Sequence, residues 1–263
     1  MTNPTGTARG SDEHAKSGHS CATAVIIDTV LADDDTIKSG LESLFPGTGV
    51  RYDLLSTPDL GGLLHDEQRF EFLIEDILIA VRLHQTERLA IIAPEAIHQP
   101  LAEKLARHPM PVVLDVRSAG LQPETGGASL LAVGCMDWRL HGHEGGFKRL
   151  LAEGFGDGCA KFMTMPGAAK DLTDGTVRGC ALLPHIGALV EAHGLDKVVL
   201  VAHTDCGKYG GTAAFAGPAD EKKRLTSDMA ASAAFLSKNL GVSVNLAIAK
   251  VYGHRTQRII RAK

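Results

Sequence analysis

Five side chains that can bind or orient a metal ion follow two apolar runs of the sequence: Cys135, Asp137, Arg139, His203 and Cys206. The first three alternate in CMDWR, so an extended chain would place them on the same side. The other two stand in HTDCG, where a turn can bring both inward. Two thiolates and one imidazole are typical ligands of Zn²⁺, and three protein ligands leave one position of a tetrahedral site open. The pattern therefore predicts a catalytic metal site.

The elements that must position these side chains are predicted to be strands of a parallel sheet. Short apolar runs alternate with longer helical segments, which is typical of an α/β sheet with helices on its faces. The predicted strands are 23–30, 88–94, 111–116, 129–135, 161–166, 197–203 and 244–251. The predicted helices are 70–85, 176–194 and 227–240, and the charged run 220–224 is predicted to be an exposed turn. Ligands of parallel sheets gather at the carboxyl ends of the strands, where both motifs stand.

The same order of elements occurs twice along the chain. A helix end, a short polar turn, an apolar strand and a loop occupy residues 81–99 and again 190–208. This repeat predicts two similar halves in one chain. Where the second half has its two cysteines and histidine, the first half has Asp28, Pro94 and Ile97, and neither proline nor isoleucine binds a metal. We therefore predict a degenerate first half and one metal site per chain.

The repeat and the local composition divide the chain into four segments. A Gly- and Pro-containing stretch separates the halves and is typical of a linker. The predicted segments are a disordered polar tail at 1–20, a degenerate half without zinc ligands at 21–117, a linker at 118–128 and a zinc-binding half at 129–263.

Composition narrows the classes of partner. The chain has 263 residues, of which 44% are hydrophobic and 22% charged, with 27 Lys plus Arg against 31 Asp plus Glu and a formal net charge of −4. This balance favours neither nucleic acid nor an anionic membrane surface as a partner, and no apolar run is long enough to span a membrane. Five cysteines without an export signal predict reduced thiols and a cytoplasmic location.

The motifs Cys-x-Asp-x-Arg and His-x-x-Cys-Gly together resemble those of the β-class carbonic anhydrases, over roughly residues 129–255. In that family a parallel sheet dimerises, and each active site lies near the interface. The resemblance therefore implies a fused pseudo-dimer with one Zn²⁺, which either suffices alone or pairs again into a homo-oligomer. The implied reaction is reversible hydration of carbon dioxide to bicarbonate by attack of a zinc-bound hydroxide.

The resemblance also implies roles for particular residues. The implied zinc ligands are Cys135, His203 and Cys206. Asp137 would accept a hydrogen bond from the zinc-bound water or hydroxide, or occupy the fourth position itself in a closed form. Arg139 would pair with Asp137 and keep it ionised and oriented. His141 and His143 are candidates, by position only, for passing the proton out.

Some positions depart from the family pattern, and other functions stay open. Trp138 stands where the family usually has a small hydroxyl residue, the loop MPGAAKDLTDG lacks the usual Asn beside its Gly, and no residue of the first half is identified as a wall of the site. The same metal motif occurs in hydrolases of carbonyl sulfide and carbon disulfide. A catalytically silent zinc-binding scaffold or regulatory protein is a second alternative. A metal-free thiol hydrolase with Cys206 as its nucleophile is a third.

Overall fold

The computed structural model describes residues 23–28, 52–57, 60–86, 88–93, 95–108, 113–117, 128–141, 146–155, 160–173, 175–253 and 255–262. The predicted tail, all of the predicted linker but its last residue, Pro94 and His143 lie outside these described residues. None of the helices in the described ranges is both long and apolar enough to cross a membrane.

The described strands form two sheets. The first sheet has four parallel strands in the order β2-β1-β3-β4: β1 Thr23–Asp28, β2 Tyr52–Thr57, β3 Arg88–Ile92 and β4 Val113–Arg117. The second has the order β6-β5-β7-β8-β9: β5 Leu130–Cys135, β6 Ala160–Met165, β7 Lys197–His203, β8 Ser243–Tyr252 and β9 Arg255–Arg261. Only the β8–β9 pair is antiparallel among these described strands. The prediction of an α/β protein with mostly parallel sheets and flanking helices is confirmed.

The described α-helices connect these strands: α1 Glu67–His84, α2 Glu95–Leu105, α3 Trp138–His141, α4 Gly146–Phe155, α5 Val177–Ala192 and α6 Pro218–Leu240. Helix α1 is capped by Asp66, whose side chain accepts from the backbone N–H of Arg69. The prediction that the last helix begins at 227 is wrong, because α6 begins at Pro218. Proline suits a first helical position, and the acidic residues that follow it suit the positive end of the helix dipole. The predicted exposed turn at 220–224 is therefore helical.

The central strands of the second sheet are buried on both faces, as their continuous apolar sequences predict. Leu131 and Val133 of β5 pack in a core with helices α5 and α6. Leu130 and Ala132, on the opposite face, pack in a second core that also contains side chains of the first sheet and of helix α1. This second core therefore extends from one sheet to the other.

Strands β2 and β6 bring the edges of the two sheets together. The backbone N–H of Ser56 donates to Thr164 Oγ1 over 2.8 Å, and Ser56 Oγ donates to the carbonyl of Phe162 over 3.1 Å. Thr164 Oγ1 in turn donates to the carbonyl of Leu54. Each strand thus gives one hydroxyl to a carbonyl of the other, and these edge-strand contacts are reciprocal.

A buried ion pair also joins helix α1 to helix α5. Asp76 of α1 accepts a hydrogen bond from Arg178 of α5, and both line a small cavity together with Phe72, Met163 and Met165. Burial raises the pKa of Asp76 to about 6, although the charge of Arg178 and its hydrogen bond oppose this shift.

This ion pair predicts an unusual dependence of stability on pH. The pKa of Asp76 in the folded state lies above the ordinary 3.8, so the folded state takes up a proton between about pH 6 and 4. The stability contributed by this carboxyl is therefore present below that window and lost as the pH rises through 6. We expect the free energy of unfolding of the wild type, minus that of Asp76→Asn, to increase on the order of 2 kcal/mol between pH 7 and 4.5. Urea denaturation at the two pH values measures it, and a difference that is constant or smaller at pH 4.5 contradicts the prediction.

Candidate metal centre

The ends of two neighbouring strands bring two cysteines and a histidine together. Cys135 is the last residue of β5, and His203 is the last residue of β7, the parallel strand beside it. Cys206 follows three residues later, at the start of the 3₁₀ turn Gly207–Tyr209. All three side chains are buried, and their ligand atoms lie within 4.8 Å of one another. The prediction that these three residues form a group able to hold a metal ion is confirmed.

The spacing of the two sulfurs fits a tetrahedral ion. Cys135 Sγ and Cys206 Sγ are 3.9 Å apart. Two thiolates at the usual zinc–sulfur distance of about 2.3 Å, with a tetrahedral angle between them, lie roughly 3.8 Å apart. The thiols are therefore already placed as two ligands of one ion.

The histidine presents a free lone pair to this group. His203 Nδ1 lies 2.9 Å from the carbonyl oxygen of Thr204, which can only accept, so Nδ1 carries a proton and, in the neutral ring, Nε2 carries the lone pair. His203 Nε2 is buried and has no hydrogen-bond partner of suitable geometry in the described part of the chain. An unpartnered buried polar atom costs about 1–3 kcal/mol. A metal ion would remove this cost, and a histidine ligand that donates its other N–H to a carbonyl is the usual arrangement.

The carboxylate of Asp137 is held beside this group by Arg139. Arg139 donates from its backbone N and Nε to Asp137 Oδ1 over 2.9 and 3.0 Å, and from Nη2 to Oδ2 over 2.7 Å. Asp137 Oδ2 lies 3.7 Å from His203 Nε2. Burial by itself would raise the pKa of Asp137, but the charge of His203 when its ring is protonated and the charge and hydrogen bonds of Arg139 outweigh burial and hold that pKa well below its usual range. Asp137 is therefore ionised at neutral pH.

The local backbone differs from the extended chain that the alternation of Cys135, Asp137 and Arg139 predicts. Strand β5 ends at Cys135, and Trp138–His141 is the helical turn α3. This turn, rather than the period of a strand, allows the Arg139 guanidinium to fold back onto the carboxylate two residues before it. Trp138, which lies between Asp137 and Arg139, is fully buried.

Two acidic residues to which the sequence motifs assign no role hold Arg139 in place. Asp205, whose φ of 60° lies in the left-handed region, accepts from Arg139 Nη1 at Oδ2 over 2.9 Å and from Nη2 at its carbonyl over 2.8 Å. The backbone N–H of Asp205 donates to the buried carboxylate of Glu221 over 2.5 Å. Glu221 at the start of α6 thus holds the turn at Asp205, and Asp205 in turn holds the guanidinium of Arg139.

Cys135 is also contacted by the loop after β6. The backbone N–H of Gly167 donates to Cys135 Sγ over 3.4 Å. Gly167 has a φ of 74°, and a Cβ there would lie 2.7 Å from Lys208 Cγ, so glycine is required. This glycine stands in the loop MPGAAKDLTDG, which therefore borders the metal centre.

Residues of strand β2 and helix α1 border the candidate site, and they could not be identified from the sequence. Asp53 of β2 accepts from the backbone N–H of Trp138 over 3.0 Å, and its other oxygen lies 2.6 Å from His84 Nδ1. Leu83 and His84, at the end of α1, lie 3.3 and 3.7 Å from where a Cβ of Gly207 would be. His84 stands at the equivalent place of the repeat to His193, and this is the one sequence signal that draws attention to it.

His141 does not have the properties of a proton carrier. Its Nε2 lies 2.7 Å from the carbonyl oxygen of Cys135 and donates to it. Burial lowers the pKa of His141 to about 4, so the ring is neutral at pH 7 and its proton is engaged. The suggestion from position that His141 passes a proton out stays a prediction, which the lowered pKa and the engaged Nε2 do not favour.

Comparisons of the chain with models of protein families, with curated proteins and with solved structures found no match in any of the three.

Proposed function

We propose that the chain is a zinc-dependent lyase that reversibly hydrates carbon dioxide to bicarbonate, with a site similar to that of the β-class carbonic anhydrases. The observation that carries this proposal is the buried group of Cys135, His203 and Cys206 beside an Asp137 carboxylate held by Arg139. A structural zinc site uses four protein ligands, whereas a catalytic site uses three and keeps one position open. An ionised carboxylate next to a three-ligand group supports the catalytic kind of site.

Zinc is the metal that this donor set favours. Two thiolates and one imidazole combine soft and borderline ligands, which suit Zn²⁺ better than the oxygen-preferring Mg²⁺ or Ca²⁺. When bound, Zn²⁺ supplies a nucleophilic oxygen at neutral pH, because it lowers the pKa of water to about 7.

The residues of the chain orient the reactants. Asp137 is ionised, so its oxygens can only accept hydrogen bonds. It would orient the attacking water or hydroxide by accepting a hydrogen bond from it. Arg139 engages both oxygens of Asp137, which supports an orienting role of the carboxylate over ligation of the metal. Both side chains are buried, and electrostatic interactions are stronger where water is excluded. The reaction joins the oxygen of water to the carbon of carbon dioxide and releases one proton with the bicarbonate.

We also propose that the two halves form a pseudo-dimer in which the first half has lost its metal. Three facts support this proposal: four strands of each sheet have the same relative order, the hydroxyls of Ser56 and Thr164 make reciprocal contacts, and these residues are separated by 108 positions, as are the accepting Leu54 and Phe162. Reciprocal contacts between equivalent residues are the mark of a two-fold interface. Pairing of pseudo-dimers into a homo-oligomer and a cytoplasmic location stay predictions.

Stopped-flow measurement of carbon dioxide hydration on protein of known zinc content tests the function. We expect about one zinc per chain, in keeping with the one three-ligand group found among the described residues, and a hydration rate that falls about 100-fold or more in Asp137→Asn, a loss typical of groups that handle protons. Asp196→Asn is the matched control, because Asp196 is exposed and lies just before the opposite end of β7. Full zinc without hydration between neutral and alkaline pH would overturn the proposal and direct the assay to carbonyl sulfide, carbon disulfide or a binding role.

A further inference from the structure

Two buried polar residues of the predicted first half contact each other, although the described part of that half contains no group of three ligands that could hold a metal ion. Asp53 is fully buried and His84 is 3% exposed, and Asp53 Oδ2 lies 2.6 Å from His84 Nδ1. Removing such groups from water is costly, and an apolar pair of the same size often gives equal or greater stability. Stability alone therefore does not account for this pair.

The contacts of strand β2 show what the pair holds. Asp53 Oδ1 accepts from the backbone N–H of Trp138 over 3.0 Å, and the backbone N–H of the next residue, Leu54, donates to the carbonyl of Met136 over 2.9 Å. These two hydrogen bonds fix the backbone groups of the residues immediately before and after Asp137. They join strand β2 to the segment between Cys135 and Arg139.

We propose that Asp53, oriented by His84, is a positioning residue for the metal centre. His84 donates from Nδ1 to one oxygen of Asp53, which turns the other oxygen toward the Trp138 N–H. The 136–138 backbone then sets where the Cys135 thiolate and the Asp137 carboxylate lie relative to each other. The first half thus acts as a template for the site of the second, an inference that rests on the proposed binding of metal there.

The end of α1 contacts the other ligand-bearing loop as well. Gly207 follows Cys206 directly, and a Cβ at Gly207 would lie 3.3 Å from Leu83 Cδ1 and 3.7 Å from His84 Nε2. The histidine that orients Asp53 therefore lies against the loop of the third ligand. Both ligand-bearing segments of the second half are braced by neighbouring residues of the first.

Competition for Zn²⁺ with a chromophoric chelator tests this inference without measuring catalysis. Asp53→Leu keeps the number and branching of the side-chain heavy atoms but leaves the Trp138 N–H without its acceptor, and we expect zinc affinity to fall about 10- to 100-fold, as for other residues that orient ligands. Asp53→Asn retains an oxygen acceptor and is expected to stay close to the wild type. Co²⁺-substituted Asp53→Leu should also have an altered absorption spectrum, which reports the geometry of the ligands.

Ser56→Ala is the matched control for loosening of the contact between the halves. Ser56 lies on the same strand and donates to Phe162, and among the described residues no hydrogen bond joins its side chain to the 136–138 segment. We expect Ser56→Ala to bind zinc as the wild type does. If Asp53→Leu does not fold, His84→Leu removes the orienting hydrogen bond with Asp53 retained, and the same loss of affinity is expected.

The outcomes separate this inference from the proposed function. Wild-type affinity in Asp53→Leu overturns the positioning role, and so does an equal loss in Ser56→Ala or in Asp53→Asn. A wild type that binds zinc but does not hydrate carbon dioxide refutes the proposed reaction and leaves the comparison of affinities decisive. A wild type that binds no zinc overturns both.

Discussion

Replacing Cys206 with serine is expected to weaken zinc binding more than 100-fold and to abolish hydration of carbon dioxide. Loss of a residue that merely orients a ligand costs roughly 10- to 100-fold in affinity, and loss of a ligand costs more. A serine hydroxyl stays protonated at neutral pH and lacks the soft thiolate that this donor set provides. Cys206 is buried, and its sulfur lies 3.9 Å from the sulfur of Cys135. Because the site is buried, we expect no group on the protein surface to replace the lost thiolate.

Zinc content after dialysis, measured by atomic emission together with the hydration rate, checks this expectation. Cys180→Ser is the matched control, because Cys180 is a free cysteine of the same half but lies exposed on α5. It should retain zinc and activity. A Cys206→Ser protein that keeps one zinc at wild-type affinity would show that the group of three is not the binding site.

Replacing Arg139 with leucine is expected to destabilise the fold by about 3–5 kcal/mol, the usual cost of leaving one partner of a buried ion pair alone. Asp137 is 1% exposed and has its two oxygens satisfied by Arg139, so its charge would lose its main compensation. Asp205 would lose the same guanidinium, but its carboxylate is about one-third exposed and water can replace that contact. Urea denaturation of the two proteins measures the difference.

The double variant Asp137→Leu with Arg139→Leu separates loss of the pair from loss of packing. Removing both charges leaves no unpaired ion, so much of the stability lost in Arg139→Leu should return. The double variant should nevertheless lack hydration activity. A single Arg139→Leu change that costs less than about 1 kcal/mol, the range of an exposed ion pair, would contradict the ion-pair arrangement described for this site.

Local residue types account for how far the elements can be predicted from the sequence. All seven predicted strands occur, because most of their sequences are the continuous apolar runs that are typical of strands in a parallel sheet. Strand β2 is missed because its sequence, YDLLST, has an aspartate inside the strand, and aspartate is depleted in strands. Strand β9, RTQRIIR, is missed for a related reason: its charged residues are typical of an edge strand.

The group of three side chains that could hold a metal ion could be predicted from the sequence alone. Cys135 and His203 each end an apolar run, and the ends of parallel neighbouring strands meet at one edge of a sheet. Cys206 follows within a short turn, so its position depends on local geometry. The residue types then restrict the metal, because thiolates and imidazole are ligands of few ions. Composition, spacing and strand ends were therefore enough to propose both the site and its chemistry.

Only the tertiary structure shows which residues contact and orient the side chains of this candidate site. Asp53 meets Trp138 across 85 positions of sequence, and Asp205 meets Arg139 across 66. Such contacts depend on how sheets and helices pack, and no periodicity or spacing within one segment encodes them. Glu221 illustrates the same point, since a charged run that predicts an exposed turn is helical and buries one carboxylate against a backbone N–H. The sequence thus determined the ligands, whereas long-range packing decided what orients them.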